Sequence, residues 1–221
     1  VAREEQAAAL AEARAAADHA ALEALRRRLE PHFLFNALTA IRASIRRDPD
    51  RARELVTDLA DLYRYLLSHP DEAPLAKEVE HASSYLAIER ARLGEERLRV
   101  EVEVPESLSN EKVPALLLQP LVENAVKHGI ARRAGPGVVR ICALLADEDR
   151  LTLEVIDECS GAPVPAPERD DGAGIALRTL RERLARAYRG RASLTLSIQE
   201  SGAVARVSLP RGGARLPSPT P

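Results

Sequence analysis

The sequence predicts two units in series: an α-helical hairpin that must pair with a second copy to form a bundle, followed by an α+β layer sandwich. Three observations predict this. Apolar residues in the first third recur at helical spacing, with Leu55, Leu59, Leu62 and Leu66 spaced four, three and four apart. The stretch from Arg97 to Leu209 alternates between period-two runs and helical runs. Between the two lies Ser68-His69-Pro70-Asp71-Glu72-Ala73-Pro74, which reads as a linker.

Each element follows from its local pattern. Residues 1–47 read as one long helix, because the start is rich in Ala, Glu and Arg and contains no Gly or Pro before Pro31. Leu22, Leu25 and Leu29 trace one heptad seam, and Leu34, Leu38, Ile41 and Ile45 trace another in a different phase. The phase breaks at Pro31, where a missing donor and a ring clash predict a kink. In the downstream register His32 falls beside the seam, at the surface of a bundle. Asp48-Pro49-Asp50 is a turn, and the Leu55–Leu66 helix follows. One hairpin cannot bury so wide an apolar face, so a dimeric four-helix bundle is the economical solution.

Further along, 75–93 reads as a helix ended by Gly94, 97–104 as a strand, and 114–128 as a helix closing at Gly129 and bent at Pro120. Strands are expected over 138–145 and 151–156, then a loop rich in Pro, Gly and acid from Gly161 to Gly174. A helix over 175–188 and a hairpin of 192–198 with 203–209 complete the sandwich, and the tail after Pro210 reads as disordered.

Composition narrows the function classes. Of 221 residues 45% are hydrophobic, enough for a packed core, but only 3% are aromatic, so that core is built of Leu, Val, Ile and Ala. A net charge of −2 carries no nucleic-acid footprint in the total. The two cysteines, Cys142 and Cys159, make no metal-like pair and read as reduced thiols of a cytosolic protein. No apolar run approaches the ~20 residues needed to span a bilayer. The chain begins with Val and contains no Met, which reads as an excised fragment with an upstream part out of view.

Two segments carry chemistry. The first is Pro31-His32-Phe33-Leu34-Phe35-Asn36. An imidazole in water, with a pKa of ~6.5, is largely neutral at cellular pH and can attack a γ-phosphorus through its unprotonated nitrogen. Asn36 lies four residues on and shares the helical face of His32, where an amide can position a water or a phosphoryl oxygen. A lone His is more often one polar residue among others, but here Pro31, Asn36 and the only two Phe of the chain flank it. Phe33 and Phe35 lie off the seam, and either pack against the second helix or form a docking surface.

The second segment is Gln119-Pro120-Leu121-Val122-Glu123-Asn124-Ala125-Val126-Lys127-His128-Gly129. Asn124 offers a neutral oxygen suited to a Mg2+ ion already shared with phosphates. Glu123 could orient, deprotonate or simply be solvated, and Lys127 and His128 can face phosphate oxygens. Asp157, at the end of an apolar strand, can accept from an exocyclic amine such as that of adenine, or cap a turn. Gly161, Gly172 and Gly174 frame a loop whose backbone can approach phosphates closely. One half of the chain would thus carry a phosphoryl acceptor and the other supply the phosphoryl group.

These segments resemble the kinase core of the LytS-like sensor histidine kinases of bacterial two-component systems. Pro31–Asn36 resembles their phosphoacceptor box, Tyr85–Gly94 their connecting helix, Val113–Gly129 their N box, Asp157 with Gly161 the first glycine box, and Gly172–Leu177 the second. The resemblance runs from about Arg26 to Pro210. It implies a Bergerat-type (GHKL) α/β sandwich ATP-binding domain, as in gyrase B-type and MutL-type ATPases, behind a dimeric antiparallel hairpin bundle. The division it implies is 1–25 signalling coiled-coil helix, 26–69 dimerisation and histidine phosphotransfer hairpin, 70–211 catalytic ATP-binding domain and 212–221 tail.

The resemblance also implies autophosphorylation of His32 from Mg-ATP. Transfer to a response-regulator aspartate would follow, the regulator typically of LytTR type. Asn124 would bind magnesium, Asp157 would contact adenine, Gly172 and Gly174 would belong to the ATP lid, and Asn36 would serve the reverse, phosphatase reaction. A homodimer is expected, cytoplasmic, attached to a membrane only through an upstream segment. The family pattern Asp-x-Gly-x-Gly is altered here: Cys159 replaces the first glycine, where a Cβ would crowd the adenine pocket or demand an altered turn. Ala176 replaces a glycine of the second box, and Arg28 and Glu30 stand where amides are common. The competing reading is therefore a pseudokinase, a dimeric scaffold with weakened ATP binding. A clamp-type or anti-sigma ATPase would not need the Pro31–Asn36 helix, and a coiled-coil adaptor would leave Asn124 and Asp157 unexplained.

Overall fold

A computed structural model describes residues 31–68, 71–147, 149–162 and 172–211. The upstream seam of Leu22, Leu25 and Leu29, the kink expected at Pro31, most of the glycine-framed loop and the tail lie outside the described residues. The chain forms α1 (Pro31–Ser44), α2 (Pro49–Ser68), β1 (Glu72–Pro74), α3 (Leu75–Leu93), β2 (Leu98–Glu103), β3 (Lys112–Pro114) and α4 (Gln119–Asn124). It continues through β4 (Gly137–Asp147), β5 (Arg150–Cys159), α5 (Gly172–Ala187), β6 (Ser193–Gln199) and β7 (Gly202–Pro210).

The helical hairpin forms as its spacing predicts, but α1 turns a different stripe inward. Phe33, Ala37, Ala40 and Ile41 are buried, whereas Leu38 and Ile45 are 50% and 54% exposed. Of the Leu34–Ile45 seam only Ile41 is fully committed to the core of one chain. The reason is the aromatic pair on α1 and α3: Phe33 stacks on Tyr85 with centroids 5.1 Å apart and planes at 25°, so that ring fixes the rotation of α1. On α2 all four predicted leucines are buried, facing α1 and α3. The buried cluster therefore runs without a break from Phe33 in the hairpin to Leu209 in the last strand.

The sheet that follows has the order β2-β4-β5-β7-β6, with β2 parallel to β4 and every other pair antiparallel. The parallel pair requires a crossover, and the crossover carries α4, which brings the Asn124 segment to the buried face of the sheet. That face is lined by Val139, Ile141, Leu151, Leu153, Val155, Val207 and Leu209. The opposite face carries Glu101, Arg140, Glu154 and Arg206, paired as Arg140–Glu101 at 2.8 Å and Arg206–Glu154 at 2.5 Å.

Three local expectations change. The linker is partly structured: β1 pairs antiparallel with β3, and the Leu75 and Ala76 amides donate to the Glu111 and Ser109 carbonyls. Residues 71–74 are therefore stitched to the entry of the Asn124 segment, because a Pro-rich stretch can still pair along an edge. The expected 114–128 helix starts later, at Gln119, because Leu116 takes a left-handed backbone with φ 56°. Pro120 then falls in the first helical turn, where its missing donor costs nothing, so no bend is needed. Finally α5 begins at Gly172, three residues before the expected start.

Candidate phosphoryl-transfer site

His32 lies on the exposed side of α1, beside the buried Phe33. The Asn36 amide nitrogen stands 3.4 Å from both ring nitrogens, one turn along the same face. An amide equally distant from both nitrogens commits the ring to neither tautomer, and the ring remains reachable from solvent. Phe35 is 69% exposed and shares the outer surface of the helix. The two Phe residues thus divide between the two roles the sequence left open: Phe33 packs, and Phe35 offers an apolar surface next to His32.

The second group is assembled by α4 and the turns that follow it. Glu123 is held along one helical face by Gln119, whose Nε2 donates at 2.7 Å, and by Lys127 at 3.4 Å. Asn124 is half-buried and ends the α-helical turns. The chain then widens into a π-helical turn over Ala125–Gly129 and tightens into a 3₁₀ turn over Ile130–Arg132. A π turn in this place rotates the following side chains relative to a regular helix, a distortion that recurs at functional sites. Burial, with Arg132 and Lys127 nearby, pushes the His128 imidazole down, so it is neutral at physiological pH.

Asp157 lies on β5, 3% exposed. Burial pushes its carboxyl up to about 6, partly countered by the Ala203 backbone and the Cys159 thiol. The structure brings this carboxylate against the end of the Asn124 segment: a Cβ on Gly129 would lie 2.2 Å from Asp157 Oδ1. The Cys159 thiol sits two residues along the same strand face, 3.9 Å from the same oxygen, and burial raises it to about 11. Strand pairing continues through Cys159, which lies opposite Gly137, so no altered turn is needed there. Gly161 has φ 87° and packs against Gly135. Gly172 and Gly174 fall in the first turn of α5, and a Cβ on Gly174 would meet open space.

The donor set suits a nucleotide with its own metal better than a protein-held metal. Among the described residues no three His, Cys, Asp or Glu groups converge to hold an ion. One neutral amide oxygen on Asn124 beside Lys127 fits Mg2+ that takes most of its ligands from phosphates and water.

Residues 20–98 match the histidine kinase family, and residues 109–213 match the family of histidine kinase-, DNA gyrase B-, and HSP90-like ATPases. The sensor histidine kinase BtsS of Escherichia coli (strain K12) is 40% identical over 76% of this chain and 30% of its own length. The sensor protein LytS of Enterococcus faecalis (strain ATCC 700802 / V583) is 31% identical over 83% of this chain and 32% of its own length. The chain belongs to the LytS-like sensor histidine kinases. It spans about a third of the length of these relatives. The histidine kinase domain of the Erythrobacter litoralis EL346 blue-light activated histidine kinase is 20% identical, covers 84% of this chain and 92% of that one, and has a TM-score of 0.47.

Within this LytS-like core, sequence reasoning missed two residues that set the site. Arg97, at the start of the strand region, donates to the carbonyls of Ala134, Gly135, Ile130 and Arg133, and so clamps the turn that follows His128 and Gly129. Glu78 is fully buried and accepts from the backbone N–H groups of Leu116, Leu117 and Leu118. A charged residue on the inner face of α3 was the available signal for Glu78; for Arg97 there was none, since its partners are backbone carbonyls more than 30 residues away.

Proposed function

We propose that this chain is the kinase core of a two-component sensor, which phosphorylates His32 from Mg-ATP and passes the phosphoryl group to a response-regulator aspartate. The observation that carries it is the pairing of two sites on one frame: an exposed His32 with Asn36 one turn on, and a half-buried Asn124 segment that ends against the buried carboxylate of Asp157. Membership in the LytS-like family supports the same reading.

The unprotonated nitrogen of His32 attacks the γ-phosphorus. The N–P bond forms as the bond to the β–γ bridging oxygen breaks, and ADP leaves with that electron pair. A carboxylate oxygen of the regulator then attacks the phosphorus, forms an acyl phosphate and returns neutral imidazole. Lys127, held by Glu123, and His128 face the phosphates; Glu123 acts as an orienting group. Asp157 accepts from the adenine amine, Gly161 belongs with it to the first glycine box, and Gly172 and Gly174 belong to the ATP lid. Magnesium bound with the nucleotide would neutralise phosphate charge, with Asn124 as its protein ligand. Asn36 holds the water of the reverse, phosphatase reaction.

The division into 26–69 and 70–211 is functional: the hairpin must leave its place on α3 for the ATP domain to reach His32. The homodimer forms through the α1 and α2 faces left exposed in one chain, and the regulator, of LytTR type, docks at Phe35. No helix among the described residues is long and apolar enough to cross a membrane. We place this region in the cytoplasm, where ATP and the regulator are, with any membrane anchor upstream. The unbroken β5 pairing removes the altered turn as a ground for the scaffold alternative.

The test is transfer of labelled γ-phosphate from Mg-ATP to the chain, beside His32→Ala and Asn124→Ala. Acid-labile label on the parent, absent from both variants, is expected. Label that survives in His32→Ala would overturn the assignment of the acceptor, and a parent that neither binds ATP nor takes label would return the scaffold reading.

A further inference from the structure

The buried carboxylate of Glu78 is where three parts of the chain meet: its own helix α3, the hairpin helix α2 and the segment leading into α4. Its residue is 0% exposed, on the inner face of α3. Oε1 accepts from the Leu116 amide at 2.7 Å and from the Tyr65 hydroxyl at 2.5 Å. Oε2 accepts from the Leu117 amide at 2.6 Å and the Leu118 amide at 3.0 Å. Four donors match the lone-pair sites of one carboxylate.

Three of those donors are the backbone that leads directly into α4. Leu116 among them has φ 56°, a left-handed conformation that a non-glycine residue keeps only where its surroundings hold it. Its other side is held too: the Leu116 carbonyl accepts from Arg183 of α5 at 3.2 Å. The fourth donor, Tyr65, belongs to α2 and thus to the hairpin that bears His32. Burial and the Glu78 carboxylate push the Tyr65 phenol far above its usual range, so it is always the donor. Its ring also lies 4.6 Å from that of His81, which anchors the same turn of α3.

We propose that Glu78 is a positioning residue for phosphoryl transfer, setting the backbone that aims the Asn124 segment, and that Tyr65 makes that setting respond to whether the His32 hairpin is docked. This rests on the kinase reading above. When the hairpin leaves α3, the carboxylate loses its hairpin donor and keeps three backbone donors, so the state of the nucleotide segment and the docking of the hairpin are linked. By reciprocity, nucleotide binding then changes the protection of the hairpin.

The experiment compares the parent chain with Glu78→Gln and Tyr65→Phe, by amide hydrogen exchange with and without magnesium and a non-hydrolysable ATP analogue, and by affinity for that analogue. In Glu78→Gln the side-chain NH2 cannot accept, so exchange over 116–118 should rise about tenfold or more, and analogue affinity should fall by a similar factor. In the parent, the analogue should change exchange over 55–67 by about threefold or more, the size of a modest coupling. Tyr65→Phe removes one hydroxyl, should bind the analogue within about twofold of the parent, and should lose that change in the hairpin. Unchanged exchange over 116–118 in Glu78→Gln overturns the positioning role. Transfer of protection that survives in Tyr65→Phe overturns the link. A parent that binds no analogue overturns both this and the kinase reading, whereas a parent that binds it with both variants unaffected sinks this inference alone.

Discussion

Gly129 and Asp157 are in direct contact, so close that a β-carbon at position 129 would lie 2.2 Å from Oδ1 of the carboxylate. The relationship joins the end of the Asn124 segment to the strand that carries Asp157, and it admits no side chain between them. Replacement by alanine must displace either the carboxylate or the π turn. Gly129→Ala is therefore expected to cost roughly 1–3 kcal/mol of stability through overpacking and to weaken ATP binding more than about tenfold. Chemical denaturation and nucleotide titration check the two parts; a variant with parental affinity would place the adenine contact elsewhere.

The buried carboxyl of Asp157 gives the second prediction. Its pKa is raised from 3.8 to about 6, with burial as the main cause. The sign follows from linkage: the folded state binds this proton more tightly than the unfolded state, so its contribution to stability is present below about pH 4 and is lost as pH rises through about 6. Asp157→Asn should flatten that part of the stability profile, a difference of about 3 kcal/mol at most. In the parent, affinity for the nucleotide should increase as pH rises through about 6, because the ionised carboxylate is the stronger acceptor. Stability curves from pH 4 to 7 that run parallel in the two proteins would contradict this.

The two phenylalanines should separate cleanly. Phe33 is 6% exposed and stacked on Tyr85, whereas Phe35 is 69% exposed. Phe33→Ala is expected to destabilise by roughly 3–5 kcal/mol and to loosen the hairpin from α3. Phe35→Ala should stay within about 0.5 kcal/mol of the parent in denaturation, yet slow transfer to the regulator. Equal losses of stability in the two variants would refute the division of roles.

Leu38 on α1 and Ile45 just past its end are 50% and 54% exposed, and Val56 and Leu67 on α2 are 52% and 50% exposed. In the homodimer proposed above, this apolar stripe is covered by a second copy. Leu38→Glu with Ile45→Glu is expected to convert a dimer to a monomer in sedimentation while the helical content is kept. A double variant that still sediments as a dimer would move the interface to another face.

Much of the site was legible because its parts are local. His32 and Asn36 share a face by helical spacing alone, and Gln119, Glu123 and Lys127 line up at intervals of four for the same reason. The Gly94 stop of α3 was equally legible, since φ 109° suits only glycine. The late start of α4 was not. Nothing between Val113 and Gln119 forbids a helix; the left-handed turn at Leu116 exists because Glu78, 38 residues upstream, binds the amides there.

By itself the sequence determined the long helices, the five strands of the main sheet and their order, since propensity, periodicity and turn chemistry act over a few residues. The tertiary structure decided which stripe of α1 faces inward, because the Phe33–Tyr85 stack outweighs the leucine seam. It also decided that Gly129 meets Asp157 and that Tyr65, Glu78 and Leu116 share one carboxylate. Those contacts join residues far apart in the chain, and their strength depends on burial and geometry that appear only once the layers have packed.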